Sequence, residues 1–230
     1  MHSLAAAITL AEPEVALSDF AVALIAAVCG FAILRAPAQD AALRRWFAVF
    51  FATLAASALV GGLDHGFFRE ADSRGHAIAW PLTLLLIGST GGIVAVIASR
   101  LSLPPRGQRF ALVVIVVLLI GFAARVLLGA RDFSVAIAAY LVPALWLLGA
   151  LLVRGFRVGS TGAFIAAGGI ALILAGSAVQ HFEIGIGSGW LGHNTLYHVI
   201  VAGGLVLLAV GARPLLATRH QTIHQERTPV

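Results

Sequence analysis

The sequence predicts an all-α integral membrane protein, built as a bundle of seven transmembrane helices. Of the 230 residues, 60% are apolar and only 11% are charged, whereas a soluble domain has about 45–50% apolar and about 25% charged residues. The mean hydropathy is +0.99. Seven apolar runs approach the length of about 20 residues that a helix needs to cross a bilayer core. Short polar spacers separate these runs.

The seven predicted helices form a single transmembrane domain over residues 1–217. In chain order they cover residues 17–34, 43–63, 78–99, 110–128, 133–153, 161–179 and 196–212. The spacers contain helix-breaking and charged residues, as in RLSLPPRGQR at 100–109 and VRGFRVGS at 153–160. Glycine pairs within the runs, such as Gly168-Gly169, indicate close helix packing. The polar tail at 218–230 is predicted to be a disordered cytoplasmic segment.

Arginine placement predicts the orientation of the bundle. All 15 basic residues are Arg, and 11 of them lie in the spacers after predicted helices 1, 3 and 5 and after helix 7. The positive-inside rule therefore places the C-terminus in the cytoplasm and the N-terminus outside. Abundant Ala, Gly and Arg without Lys fits a GC-rich bacterial genome, so we expect a bacterial inner membrane.

The same composition excludes two classes of function. A chain without Lys cannot form a Schiff base, which excludes a retinal-binding rhodopsin despite the helix count. The Arg residues are scattered between apolar runs and do not form a basic patch interleaved with aromatic residues, so no nucleic-acid partner is expected. Membrane lipids are the expected partners.

Five histidines outside the termini fall at one predicted membrane face. They are His65, His76, His181, His193 and His198. Ionisable groups within transmembrane segments usually face the bundle interior and mark functional sites. Imidazole is also the commonest protein metal ligand near neutral pH. The cluster therefore predicts a metal site near the outer face, although we interpret His76, in the polar segment READSRGH, as a solvated residue.

Zinc is the metal that the residue types favour. A catalytic zinc ion takes three protein ligands and keeps one position open. We predict His65 and His198 as ligands, with His193 or His181 as the third. Along a helix with about 100° per residue, His193 and His198 are about 140° apart. His193 can therefore join the site only if it leaves the regular helix.

Two carboxylates are candidates for acid–base chemistry at this site. Asp64 precedes His65 and shares a helix face with Ser57, since seven residues differ by only about 20° around a helix. It could orient a metal-bound imidazole or accept a proton from an activated water. Glu183, two residues after His181, competes for the same role.

The strings SALVGGLDHGF (57–67) and HNTLYHVI (193–200) resemble the CREST superfamily, which includes the alkaline ceramidases and the adiponectin and progestin receptors. The resemblance covers nearly the whole chain and is strongest to uncharacterised bacterial seven-helix members. It implies a membrane-embedded, zinc-dependent hydrolase of lipid amides. The family pattern has a Ser and then a His on helix 2, an Asp near helix 3, and His-x-x-x-His on helix 7.

This pattern transfers only in part. The helix-2 His corresponds to His65 and the second helix-7 His to His198, whereas the first helix-7 His falls on Asn194, beside His193. The family Ser falls on Gly61, so Ser57 is the candidate replacement for its hydroxyl. The helix-3 Asp has no counterpart within predicted helix 3, and Asp64 and Asp72 are the nearest candidates.

The sequence thus predicts a zinc-dependent, ceramidase-like hydrolase of lipid amide or ester bonds, whose substrate enters laterally from the bilayer. Two alternatives remain at this stage. The first is a b-type cytochrome with His65 and His198 as axial haem ligands and Arg69 near the propionates. The second is a non-catalytic sensor or receptor-like protein with a structural metal, which the missing Ser and Asp favour.

Overall fold

A computed structural model describes residues 10–70, 72–187 and 190–217. Within these ranges the chain forms seven α-helices and one π-helical turn. They are α1 (Pro13–Arg35), α2 (Ala41–Leu63), the π-helical turn (Asp64–Phe68), α3 (Arg74–Ser102), α4 (Pro105–Leu127), α5 (Phe133–Val158), α6 (Thr161–His181) and α7 (His193–Ala217). The tail expected to be disordered, residues 218–230, lies outside the described residues.

All seven helices are long and apolar enough to cross a membrane. Every predicted run overlaps one helix, and most helices extend past their run by a few residues at one or both ends. Polar side chains cap the N-termini of several helices. Asp40 accepts hydrogen bonds from the amides of Ala42 and Leu43 before α2, and Ser73 does the same for the amides of Gly75 and His76 before α3.

Six helices form a closed ring in the order α1, α2, α3, α5, α6 and α7, with α7 packing back against α1, while α4 packs outside the ring against α3. Helices α6 and α7 approach each other closely through glycines. A Cβ atom at Gly169 would lie 2.5 Å from the amide nitrogen of Leu208, and one at Gly211 only 2.3 Å from that of Ala166. Residues without a side chain therefore set the α6–α7 distance.

The outer surface of the bundle is strongly apolar. Large hydrophobic side chains are exposed on every helix, and α4 alone exposes Phe110, Val117, Leu118 and Ile120. Such continuous apolar exposure suits contact with lipid and not with water. Ionisable residues lie at both ends of the ring, but the described histidines collect at the end where α1, α3, α5 and α7 begin and α2 and α6 end. We call this end the histidine face.

Candidate functional site

A cavity of about 270 Å³ lies at the histidine face and receives side chains from all six ring helices. Its polar and ionisable lining residues are Asp19, Ser57, His65, Arg69, Thr83, Gln180, His193, Asn194, Tyr197 and His198. Farther from the face, apolar residues line it, among them Val22, Leu54, Ile87 and Val201. An apolar wall with a few convergent polar groups is the usual form of a small-molecule site.

His198 contacts two side chains of α1 from its position on α7. Its Nδ1 lies 2.7 Å from Ser18 Oγ, and its Nε2 lies 3.2 Å from Asp19 Oδ1. Both His198 and Asp19 are almost fully buried, with side-chain exposures of 12% and 8%. The histidine therefore joins the first and last helices of the ring through polar contacts in an apolar interior.

The hydrogen bonds around His198 are compatible with two tautomers. Ser18 Oγ lies 2.8 Å from the carbonyl oxygen of Val15 and 2.7 Å from His198 Nδ1, and its one proton can go to either atom. When Ser18 donates to Val15, Nδ1 of a neutral His198 carries the hydrogen, and the Nε2 lone pair and the Asp19 oxygen need a proton or a cation between them. When Ser18 donates to Nδ1, Nε2 carries the hydrogen and donates it to Asp19.

Gly61 on α2 lies directly against the Asp19 carboxylate. A Cβ atom built at this glycine would lie 3.4 Å from Asp19 Oδ2, which is ordinary van der Waals contact. At the next position a Cβ atom would lie 2.7 Å from the ring of Phe20. The acidic group of α1 thus lies against the position on α2 where the resemblance expects a serine.

His65 lines the same cavity from the end of α2. It belongs to the π-helical turn that ends α2, and π-turns are frequent at functional sites. Its Nδ1 lies 2.6 Å from Glu12 Oε2, and Arg69 Nε donates to Glu12 Oε1 at 2.8 Å. Burial by itself would raise the pKa of Glu12, but the hydrogen bonds from Arg69 and His65 outweigh it and lower that pKa below its ordinary value.

Asp64 is fully buried but does not line the cavity. Both of its carboxylate oxygens lie close to His76 Nδ1, at 2.9 and 3.0 Å. The His76 ring also stacks on Trp80, with centroids 6.3 Å apart. The interpretation of His76 as a solvated residue was therefore wrong: it is the partner that compensates a buried carboxylate, because an unpaired charge in that position is costly.

The start of α7 supplies two more lining side chains, His193 and Asn194. His193 is the first residue of the helix and lines the cavity together with Asn194 and His198. The Asn194 side chain accepts a hydrogen bond of 2.6 Å from Gln180 Nε2 on α6. His193 and His198 therefore reach one cavity despite their angular separation, because His193 lies at the very end of the helix.

The other predicted site residues differ in their placement. Ser57 lines the cavity and donates a long hydrogen bond of 3.4 Å to the Thr83 carbonyl. His181 and Glu183 are exposed at the end of α6 and do not line the cavity. Glu183 also has a positive φ of 53°, which marks a turn. The structure thus brings Ser57, His65, His193 and His198 together, and leaves His181, Glu183 and Asp64 outside.

Three residues of this site were missed in the sequence: Glu12, Ser18 and Asp19. The carboxylates considered for the site in the sequence were Asp64, Asp72 and Glu183, and neither Glu12 nor Asp19 was among them. Asp19 did carry a signal, because a carboxylate inside an apolar run is expensive and usually has a function. Among the described residues, no three His, Cys, Asp or Glu side chains are already arranged to hold a metal ion.

Comparisons with known proteins identify a family for this chain, but they do not indicate an activity. A model of a family of unknown function, DUF6962, matches residues 15–217, which is nearly the whole described chain. No curated protein and no solved structure matches the sequence. The matched range contains all seven helices except the first two residues of α1, and it includes the whole histidine cluster but not Glu12.

Proposed function

We propose that this chain, which belongs to the DUF6962 family, is a membrane-embedded, zinc-dependent hydrolase of lipid amide or ester bonds, similar in its chemistry to the CREST superfamily. One observation carries the proposal. Nε2 of His198 and Oδ1 of Asp19 lie 3.2 Å apart, in a cavity that His65 and His193 also line. In the tautomer with the hydrogen on Nδ1, both atoms have lone pairs for a cation.

Imidazole nitrogens and carboxylate oxygens are ligand types that zinc binds, and two of these ligand atoms in the cavity are spaced as two zinc ligands would be. Two ligands of a tetrahedral zinc ion, each about 2.0–2.1 Å from the metal, are about 3.3–3.4 Å apart. The distance between His198 Nε2 and Asp19 Oδ1 is 3.2 Å. His65 is the third ligand in this proposal. Its side chain lines the same cavity, and it is the ligand that must move toward the zinc ion when the ion binds.

The cavity residues would divide the reaction among them. When bound, zinc supplies Lewis-acid polarisation of the scissile carbonyl and activation of water. His193 accepts the proton of the attacking water, as an imidazole suits general base catalysis near neutral pH. As the carbon–nitrogen or carbon–oxygen bond breaks, the same proton goes to the leaving amine or alcohol. The amides of Gln180 and Asn194 orient the polar part of the substrate.

The apolar part of the cavity would hold the lipid chain. Val22 lies about one turn deeper in the bundle than Asp19 along α1, and Leu54 lies about two turns deeper than Gly61 along α2. A lipid that enters laterally from the bilayer would therefore place its chain against these residues and its scissile bond near His198. This division matches an amphipathic substrate and not a small polar metabolite.

In this proposal His193 takes the acid–base role that the sequence suggested for Asp64 or Glu183, and Asp19 serves as a zinc ligand. Asp64 is engaged by His76 and lies outside the cavity, and Glu183 is exposed beyond the end of α6. The same geometry weakens the cytochrome alternative. Haem iron needs an open axial nitrogen on each histidine, whereas Asp19 lies where the iron bound to His198 would have to be.

The proposal includes an orientation. Eleven of the 15 arginines lie at the end of the bundle opposite the histidine face or in the C-terminal tail. By the positive-inside rule the histidine face would point away from the cytoplasm. In a bacterial inner membrane the reaction would then take place at the periplasmic side of the bilayer.

Zinc content and lipid hydrolysis test this function together. We expect stoichiometric zinc in the purified wild-type protein and in His181→Ala, whose side chain lies outside the cavity, and loss of zinc in His198→Ala and Asp19→Asn. Hydrolysis of a panel of N-acyl and O-acyl lipids should stop after chelation and return with zinc. Full zinc occupancy in His198→Ala, or none in the wild type, would refute the proposal. Zinc without hydrolysis would favour the sensor alternative.

A further inference from the structure

We infer that Glu12 is a positioning residue: it fixes the tautomer and direction of His65, so that the Nε2 lone pair of this ring points into the cavity. This inference deepens the proposed function and rests on it for its effect on zinc affinity. The tautomer of His65 can be measured in protein without metal or substrate. An experiment can therefore refute the zinc-dependent hydrolase and leave the role of Glu12 intact, or the reverse.

The segment before α1 is attached to the π-helical turn by backbone hydrogen bonds. The amide of Ala11 donates to the carbonyl of Gly66 at 3.0 Å, and the amide of Glu12 donates to the carbonyl of His65 at 3.1 Å. A Cβ atom at Gly66 would lie 3.2 Å from the side chain of Leu10. A glycine at this position therefore lets the segment lie directly against the turn.

The Glu12 side chain is used for His65 and not for its own helix. Glu12 occupies the N-cap position of α1, yet its side chain makes no capping hydrogen bond. Its Oε2 instead lies 2.6 Å from His65 Nδ1, and Arg69 donates to its Oε1 at 2.8 Å. Two partners hold the carboxylate from two sides, so its direction toward His65 is fixed.

This contact determines where the proton of His65 lies. An ionised carboxylate can only accept hydrogen bonds, so His65 Nδ1 must donate. In the neutral ring Nε2 is then bare. Trp80 packs edge-on to the ring, at a centroid distance of 6.2 Å, and restricts its rotation. A carboxylate that accepts from the far nitrogen of a ligating histidine orients the ring and raises its basicity.

Long-range ¹H–¹⁵N correlation spectra of chelator-treated protein, labelled with ¹⁵N-histidine in detergent micelles, test the tautomer. The His65 signals are assigned by their loss in His65→Asn. We expect the Nδ1–H tautomer in the wild type and in Glu12→Gln, whose amide oxygen can still accept, and appearance of the Nε2–H tautomer in Glu12→Ala. An Nε2–H tautomer in the wild type, or an unchanged spectrum in Glu12→Ala, would overturn the inference.

Zinc competition with a chromophoric chelator provides the second measurement. We expect Glu12→Ala to lower zinc affinity about 10- to 100-fold, the usual effect of losing a carboxylate behind a metal ligand. Glu12→Gln, which still accepts from His65 Nδ1, should lower it less, and Glu14→Ala, which removes an acid two residues away, should leave it unchanged. Equal affinity in Glu12→Ala and wild type would contradict the positioning role. If the wild type binds no zinc but shows the Nδ1–H tautomer that depends on Glu12, the proposed function fails and the inference stands.

Discussion

Asp19 and His198, from the first and the last helix, place a carboxylate oxygen and an imidazole nitrogen 3.2 Å apart inside an apolar bundle. Ser18 Oγ lies within hydrogen-bond distance, 2.7 Å, of the other nitrogen of the same imidazole. The contact closes the ring of helices between α1 and α7, and it contributes both to the candidate site and to the stability of the bundle.

Removal of His198 should therefore destabilise the fold as well as the site. We expect His198→Ala to lower the free energy of unfolding by about 1–3 kcal/mol, because Asp19 and Ser18 lose a buried partner. Asp19→Asn should cost less, since its amide can donate to Nε2 of His198 or accept from it. Thermal unfolding in detergent compares the two, and a larger loss in Asp19→Asn than in His198→Ala would contradict the importance of this contact for stability.

Adjacent glycines on α6 offer a matched test of helix packing. A Cβ atom at Gly169 would meet the backbone of α7 at 2.5 Å, while at Gly168 nothing lies within 4 Å. We expect Gly169→Ala to destabilise the protein by about 1–3 kcal/mol through overpacking. Gly168→Ala should be neutral or slightly stabilising, because Ala favours a helix over Gly. Similar unfolding temperatures for the two variants would show that α6 and α7 are less closely packed than described.

Asp64 and His76 should behave as a structural pair and not as part of the reaction. The variants Asp64→Ala and His76→Ala should each destabilise the protein, and the double mutant should show a coupling energy of about 0.5–3 kcal/mol, as contacting residues do. Specific hydrolytic activity of the folded fraction should be retained in Asp64→Asn. Abolished activity with unchanged stability in this variant would instead identify Asp64 as the general base.

At the opposite end of the bundle, Asp40 predicts a dependence of stability on pH. Burial alone would raise the pKa of Asp40, but hydrogen bonds from the Leu43 amide and from Arg100 outweigh it and lower that pKa below the ordinary value of 3.8. A depressed folded-state pKa contributes stability above 3.8 and loses it as the pH falls through the folded-state value.

Asp40→Asn isolates this contribution, because Asn still caps α2 but carries no charge toward Arg100. The variant should be less stable than wild type at neutral pH by under about 1 kcal/mol, since the pair is partly solvent-exposed. The difference should shrink as the pH falls below 3.8. A constant difference between pH 7 and pH 3 would assign the effect to the cap and not to the ion pair.

Single cysteines test the proposed orientation. In a background with Cys29→Ala, Glu183→Cys places a thiol at the histidine face and Arg157→Cys places one at the opposite end, and both positions are exposed. A membrane-impermeant maleimide added to intact cells with a permeable outer membrane should label only Glu183→Cys. Labelling of Arg157→Cys alone would reverse the orientation.

The sequence by itself determined the class of the protein, the number of membrane-length helices and their approximate limits. These depend on the length and apolarity of each run, which are local properties that the chain carries wherever it folds. It also indicated that histidines gather at one end, because the alternation of helix directions brings the end of helix 2 and the start of helix 7 to the same membrane face. Within that cluster it proposed His65 and His198 as ligands, with His193 or His181 as the third. His65, His193 and His198 line one cavity, and His181 does not.

Only the tertiary structure decided which carboxylates meet which histidines. Asp64 and His65 are neighbours in the chain, yet one faces His76 and the other faces the cavity and Glu12. Asp19 stood in the sequence as one acid near the N-terminus, and it gained its role only through the contact of α1 with α7. The physical reason is that the rotation of each helix about its axis is set by packing against its neighbours, and no spacing along one helix records it.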